Sequence, residues 1–137
     1  MSKILLIEDD PLIFRLYQKL FSLEGFESEL AENGKSGIEK LKSFHPDIIL
    51  LDIMMPDMNG IEMMSQLKEM PESKDIPIVV LTNIADMNVT NIALQKGAVL
   101  VIIKSQTEPA EVVASIKGVL ARPDQQNDNT DSQAEEK

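Results

Sequence analysis

The chain has 137 residues, of which 43% are hydrophobic and 26% charged, and this length supports one ordinary globular core but not two full domains. Its 13 basic and 23 acidic side chains give a formal net charge of −10, which is the wrong sign for a domain that binds nucleic acid directly. The absence of cysteine and the single histidine exclude disulfides, thiolate metal sites and a cysteine nucleophile, so any metal must be bound by oxygen ligands.

Apolar runs without alternation predict the strands of a parallel sheet that is covered on both faces. In chain order these runs are residues 4–7, 48–51, 78–81 and 99–103. Residues 26–31 alternate between apolar and polar side chains, which is typical of an edge strand. Apolar residues at helical spacing follow each of these five segments, so the sequence predicts an α/β fold of five β-α units.

Helix and turn signals agree with this pattern. Asp10 before Pro11 favours a helix N-cap over a metal ligand, because proline suits the first position of a helix. Gly25 and Gly97 are placed where helices should end. Turns are predicted at the dipeptides Asn33-Gly34 and Asn59-Gly60.

The composition changes after residue 121. Residues 122–137 hold five acidic and two basic side chains and no large apolar residue, so they predict a disordered acidic and polar tail after a domain over residues 1–121. We expect a stand-alone domain, since no linker or second domain is apparent. No apolar run reaches the roughly 18 residues of a membrane span and no signal-peptide pattern is present, so we expect a cytoplasmic protein without membrane insertion.

Polar side chains follow four of the predicted strands at the point where each strand ends. They are Glu8 and Asp9 after the first strand, Asp52 after the third, Thr82 after the fourth and Lys104 after the fifth. In an open α/β sheet the functional crevice lies beyond these carboxyl ends. Carboxylates gathered there repel one another and favour a hard divalent cation, for which Mg²⁺ is the natural choice. Asp52 is the predicted nucleophile towards a phosphoryl group, because it ends the most apolar strand.

Four parts of the sequence resemble the receiver domain of two-component response regulators, over about residues 2–121. They are ILLIEDDP, DIILLDIMMPDMNG, IVVLTN and the strand that ends at Lys104. The resemblance implies a flavodoxin-like (βα)5 fold, with a doubly wound parallel five-stranded sheet in the order 2-1-3-4-5. It also implies that a histidine kinase or a phosphotransfer protein phosphorylates Asp52 with Mg²⁺ as cofactor, and that the chain turns over no separate substrate.

The same resemblance implies specific roles around Asp52. The metal would be bound by Asp52, by Asp9, by Glu8 mostly through water, and by the backbone carbonyl of Met54. Thr82 and Lys104 would contact the phosphoryl oxygens. The modified state would then control a protein partner, for which the apolar strand from Val99 to Ile103 and the adjoining helices are a candidate surface. We expect a monomer or a weak homodimer.

Val101 and Ser105 are two of the positions that depart from the family pattern. Val101 stands where receivers usually carry an aromatic residue, so the usual threonine-plus-aromatic switch cannot operate in that form. Ser105 stands where a proline in a cis bond is usual, and the sequence leaves open whether the Lys104–Ser105 bond is cis. These departures keep a second interpretation open, namely a pseudo-receiver that binds a protein partner and signals without phosphorylation. A Mg²⁺-dependent hydrolase is a weaker alternative, since no second acid follows Asp52 two residues later.

Overall fold

The computed structural model describes residues 2–55, 58–83 and 86–121. Five parallel strands form its main sheet, in the spatial order β2-β1-β3-β4-β5. They are β1 Lys3–Ile7, β2 Glu27–Ala31, β3 Ile48–Leu51, β4 Ile78–Thr82 and β5 Ala98–Ile103. The strand order 2-1-3-4-5 is therefore confirmed. The acidic tail predicted over residues 122–137 lies outside the described residues.

Five helices follow the strands, as the apolar spacing predicts. They are α1 Pro11–Leu23, α2 Gly34–Phe44, α3 Gly60–Glu69, α4 Met87–Gln95 and α5 Pro109–Leu120. A short 3-10 turn at Lys104–Gln106 connects β5 to α5. None of the helices in the described part of the chain is long and apolar enough to cross a membrane.

Burial follows the position of each strand in the sheet. Every residue of β3 and β4 is buried, because these strands have neighbours on both edges and helices on both faces. In β2 only Ala31 is fully buried, and the other residues are exposed or half-buried. The alternation over residues 26–31 therefore identified the edge strand correctly.

Two hydrophobic layers enclose the sheet. One layer, called here the α2/α3/α4 layer, packs Leu41, Met63 and Ala93 against the side chains of one sheet face. The other, called the α1/α5 layer, packs Tyr17 of α1 and Ile116 of α5 against the opposite face. Successive side chains of a strand alternate between these layers. A residue therefore lies on the same sheet face as the residue two positions before it in the strand.

Local signals at the helix ends are mostly confirmed. Asp10 caps α1, since its Oδ1 accepts the Leu12 N–H at 2.9 Å, and Pro11 begins the helix. Gly25 and Gly97 follow α1 and α4 with φ of +85° and +116°, which are conformations that glycine adopts readily.

The two predicted turns are wrong. Asn33 and Asn59 are instead the N-caps of α2 and α3: Oδ1 of each accepts backbone N–H groups of its helix, at 2.9 Å from Ser36 and Ile61 respectively. An asparagine side chain stabilises a turn and a helix start through the same kind of hydrogen bond, so the dipeptide alone does not distinguish them.

Candidate functional site

Strand alternation brings three charged residues to one face of the sheet. Leu6, Leu50 and Ile102 all lie in the α1/α5 layer. The residues two positions further on are Glu8, Asp52 and Lys104, which the two-residue repeat places on the same face at the carboxyl ends of β1, β3 and β5. Three separate strand ends therefore direct charged groups to one place.

The carboxylates form a cluster. One oxygen from each of Glu8, Asp9 and Asp52 can be chosen so that all three lie within 4.8 Å of one another. Glu8 is 1% exposed and Asp52 is 4% exposed, whereas Asp9 is open to solvent. Two buried acids and one exposed acid thus share a site that opens to solvent through Asp9.

Lys104 lies between the two buried acids. Its Nζ donates to Oε1 of Glu8 at 3.0 Å and to Oδ2 of Asp52 at 3.3 Å. The Lys104 side chain is only 12% exposed, so both ion pairs are largely removed from water. Removing one partner of such a pair leaves a buried charge uncompensated, which lowers the free energy of unfolding.

Burial and charge shift two pKa values in the site. Burial raises the pKa of Glu8 to about 7; the hydrogen bond from Lys104 opposes this and the charge of Asp52 adds to it. Burial also lowers the pKa of Lys104, but the hydrogen bond to Glu8 and the charges of Asp52 and Glu8 outweigh it, so the net pKa is raised. Lys104 therefore stays charged at neutral pH, while Glu8 titrates near neutrality.

The donor set fits a hard divalent cation. Three carboxylates face a single ammonium group, which leaves excess negative charge in a mostly buried place. Backbone N–H groups hold two of them: Asp10 donates to Oε2 of Glu8 at 3.3 Å and Met54 donates to Oδ1 of Asp52 at 2.9 Å. Oxygen ligands in this number and charge suit Mg²⁺, which binds through few carboxylates and keeps several waters.

Two further predicted residues lie at the carboxyl edge of the sheet. Thr82 is the last residue of β4 and is fully buried. Since β3 and β4 are parallel neighbours, Thr82 ends its strand at the same edge at which Asp52 follows β3. Met54 is 58% exposed, and its backbone N–H is bound to Asp52. Ligation of a metal by the Met54 carbonyl remains a prediction.

Val101 and Ser105, which depart from the family pattern, are also described. Val101 is half-buried and packs against the α2/α3/α4 layer. Ser105 is exposed in the 3-10 turn after β5. No cis peptide bond occurs within residues 2–55, 58–83 and 86–121, so the Lys104–Ser105 bond is trans.

Tyr17 is a polar residue of the site region that the sequence indicated only as part of the apolar face of α1. It is 5% exposed and packs in the α1/α5 layer, with its ring stacked on Phe21 at a centroid distance of 5.8 Å. Burial raises the pKa of the Tyr17 phenol; the charge of Lys104 opposes this and the charge of Glu8 adds to it. Helical spacing could identify Tyr17 as buried, but not which charges act on its phenol.

The chain matches the sequence profile of a family described as "Response regulator receiver domain" over residues 4–117. It is similar to the transcriptional regulatory protein CpxR homolog of Haemophilus influenzae, with 37% identity over 89% of this chain and 52% of that protein. The chain spans about half the length, or less, of the curated relatives it matches.

Solved structures agree with the fold. The BeF3-activated N-terminal receiver domain of Klebsiella pneumoniae RstA is similar with a TM-score of 0.81 and 28% identity, covering 88% of this chain and 100% of that one. A CheY-like receiver domain protein from Methanospirillum hungatei has a TM-score of 0.83 at 24% identity, covering 93% of this chain and 99% of that one. At this lower identity the second likeness supports the fold alone.

Proposed function

Because the chain belongs to the response regulator receiver domain family, we propose that it accepts a phosphoryl group on Asp52 from a histidine kinase or a phosphotransfer protein and then controls a protein partner. Family membership makes the chain a signalling module rather than an enzyme with substrate turnover. The observation that carries the proposal is the contact of Lys104 with both buried acids, Glu8 and Asp52, beside the exposed Asp9.

The chemistry assigned to Asp52 is nucleophilic. One carboxylate oxygen attacks the phosphorus of the donor, the bond from phosphorus to the donor histidine nitrogen breaks, and the aspartate becomes an acyl phosphate. Lys104 is placed to neutralise the charge on the phosphoryl oxygens, because its Nζ is already 3.3 Å from Oδ2 of Asp52. Thr82 is proposed to donate a hydrogen bond to one of these oxygens.

Glu8, Asp9 and Asp52, with the Met54 carbonyl, are the residues proposed to hold Mg²⁺. When bound, the cation neutralises phosphoryl charge and lowers the repulsion between donor and acceptor. The backbone N–H of Met54 holds Oδ1 of Asp52 at 2.9 Å, so the chain itself orients the nucleophile before the donor arrives. The exposed Asp9 marks the solvent side from which a donor can approach.

Phosphorylation changes the balance of charge around Lys104. The phosphoryl group adds negative charge at Asp52, whose carboxylate shares the Lys104 ammonium with Glu8. We propose that this redistribution shifts an equilibrium in β4 and β5, which carry Thr82 and Lys104, and that a protein partner binds the β5 side. Val99, Leu100 and Val101 of β5 are only half-buried there.

The remaining parts of the proposal follow from the same chemistry. Hydrolysis of the acyl phosphate by the domain itself would end the signal and restore Asp52. We propose that this exchange takes place in the cytoplasm, where a kinase has access to ATP. We propose a receiver domain over residues 1–121, as a monomer or weak homodimer that does not bind nucleic acid directly. Nothing in the site favours the pseudo-receiver, since Lys104 contacts Glu8 and Asp52 and an oxygen of Asp9 lies within 4.8 Å of oxygens of both acids.

The direct test is intact-protein mass after incubation with acetyl phosphate and Mg²⁺. We expect a gain of one phosphoryl group, which is lost in Asp52→Asn and in the presence of EDTA. Asp75→Asn is the matched control, because it makes the same change at an exposed acid outside the cluster. Absence of any gain in a folded wild-type protein that binds Mg²⁺ would overturn the proposal and favour the pseudo-receiver.

A further inference from the structure

The connection from α4 to β5, called here the α4–β5 joint, is centred on Gly97. This glycine has a φ of +116°, and the next residue, Ala98, pairs with Ile78 at the start of the ladder between β4 and β5. The register then shifts, because the next pair is Val79 with Leu100 and one residue of β5 is left without a partner. A single ladder pair therefore separates the α4–β5 joint from a bulge, where pairing is locally disrupted.

The helix before this joint has few buried side chains. Ala93 is the only buried residue of α4, and Met87, Ile92 and Leu94 are exposed although they are apolar. A segment that buries little apolar surface opens locally at a lower free energy than the core of the protein. Contacts from outside α4 therefore contribute much to keeping this helix on the sheet.

Lys68 of α3 makes such a contact. A Cβ at Gly97 would lie 2.8 Å from Cε, 3.2 Å from Cγ and 3.3 Å from Cδ of Lys68, so the lysine side chain lies directly against the glycine. Nζ of Lys68 donates to the carbonyl oxygen of Ile76 at 3.3 Å, two residues before β4 begins. One side chain therefore connects α3 to the amino ends of both β4 and β5.

An ion pair does not explain the position of this ammonium. Within the described part of the chain, no carboxylate lies within 4.0 Å of Lys68 Nζ, and the Ile76 carbonyl is its only hydrogen-bond acceptor. Lys68 is half-buried, and this burial lowers its pKa, although the charge of Asp75 partly offsets the effect. A lysine on a helix surface commonly extends its charged end into water, so the observed placement points to the contacts with Gly97 and Ile76.

We propose that Lys68 keeps the α4–β5 joint closed: its stem covers Gly97 and its ammonium binds the Ile76 carbonyl, so that α4 opens from the sheet when these contacts are lost. The joint lies at the amino edge of the parallel sheet, whereas Asp52 follows β3 at the carboxyl edge. The proposal concerns the unphosphorylated protein and does not depend on the proposed function of Asp52. A partner that binds α4 or β5 either preserves or breaks the Lys68 contacts, which couples its binding to local opening.

Hydrogen exchange followed by mass spectrometry tests this proposal in the full chain without a phosphoryl donor. We expect amide exchange in α4 and at the start of β5 to be about fivefold faster in Lys68→Met than in wild type, as is typical for the loss of one hydrogen bond. Exchange in α1 and α2 should be unchanged, because local opening at the joint does not involve these helices. Lys74→Met is the matched control, since Lys74 is exposed in the loop between α3 and β4, and it should behave as wild type.

The distribution of the effect separates a local role from a general one. Equal acceleration in α1, α2 and α4 of Lys68→Met would show that Lys68 stabilises the whole fold and would overturn the proposal. Unchanged exchange in α4 of this variant would also overturn it.

A second variant tests the contact between the lysine stem and Gly97. Methionine keeps most of the stem, whereas Lys68→Ala removes it together with the ammonium. We therefore expect exchange in α4 to be faster in Lys68→Ala than in Lys68→Met. A rate in Lys68→Ala no higher than that in Lys68→Met would overturn the proposed covering of Gly97 by the stem.

Discussion

Nζ of Lys104 lies 3.0 Å from Oε1 of Glu8, although 96 positions separate the two residues in the chain. The Glu8 side chain is 1% exposed and that of Lys104 is 12% exposed, so this ion pair links the ends of β1 and β5 out of contact with bulk water. Asp52 shares the same ammonium at 3.3 Å. One cation therefore balances two buried acids.

The raised pKa of Glu8 predicts how the stability of the metal-free protein depends on pH. In the folded state this pKa is about 7, against an ordinary value of 4.5, so between these two pH values the folded state binds a proton that the unfolded state has lost. The contribution of Glu8 to the free energy of unfolding is therefore present below pH 4.5 and is lost as pH rises to about 7. Its size is on the order of 3 kcal/mol at most.

Urea unfolding in EDTA at pH 5 and pH 8 measures this contribution, with Glu8→Gln as the matched variant. Glutamine has a similar shape and no titrating group, so the variant should lack the part of the pH dependence that Glu8 causes. Wild-type and Glu8→Gln proteins with the same pH dependence would show that Glu8 ionises normally in the folded state.

Replacement of Lys104 tests how much its ammonium group stabilises the folded protein beside the two buried acids. Lys104→Met keeps much of the packing but removes the cation from Glu8 and Asp52, so we expect the free energy of unfolding to fall by about 3 kcal/mol at pH 8. The loss should be smaller at pH 5, where Glu8 is protonated. Lys96→Met, at an exposed position after α4, is the control and should change stability little. Equal losses for both variants at pH 8 would contradict the prediction.

Mg²⁺ should stabilise the protein through the carboxylate cluster. Binding to the folded state raises the melting temperature by an amount that grows with the logarithm of the Mg²⁺ concentration above Kd, and we expect this increase in wild type at pH 8. Asp9→Asn should lose most of the increase while the metal-free melting temperature stays near that of wild type, because Asp9 is exposed. Scanning calorimetry with and without Mg²⁺ measures both quantities. A large decrease for metal-free Asp9→Asn would instead indicate a structural role.

Much of this site could be predicted from the sequence because strand ends are local features. Four apolar runs and the residue after each were sufficient to select Asp52, Thr82 and Lys104, and the parallel sheet then brings strand ends together. The alternating segment 26–31 likewise identified β2 as the edge, since only one of its faces is buried. These predictions depend on the period of each segment, which the sequence shows directly.

The features of the site that the sequence does not predict depend on side-chain contacts between distant elements. No local pattern indicates that Lys104 at the end of β5 binds Glu8 at the end of β1 across the two strands between them, because this contact depends on the reach of a flexible side chain. Helical spacing predicts that Tyr17 is buried on the apolar face of α1, and it is. The Asn33-Gly34 dipeptide predicts a turn, because an asparagine side chain accepts a backbone N–H both in turns and at helix starts.

Substitution of two glycines by alanine tests how the fold positions Asp52. A Cβ at Gly60 would lie 2.4 Å from Cα of Ile53, whereas a Cβ at Gly118 would meet nothing within 4 Å. Gly118 lies within α5, so Gly118→Ala gains helix propensity, whereas Gly60 is the first residue of α3 and Gly60→Ala adds chiefly the contact with Ile53. We expect Gly118→Ala to raise the free energy of unfolding by up to about 1 kcal/mol, and Gly60→Ala to lower it by about 3 kcal/mol. Because Ile53 follows Asp52, Gly60→Ala should also slow phosphorylation by acetyl phosphate; equal urea midpoints for the two variants would show that α3 moves away from Ile53 at no cost.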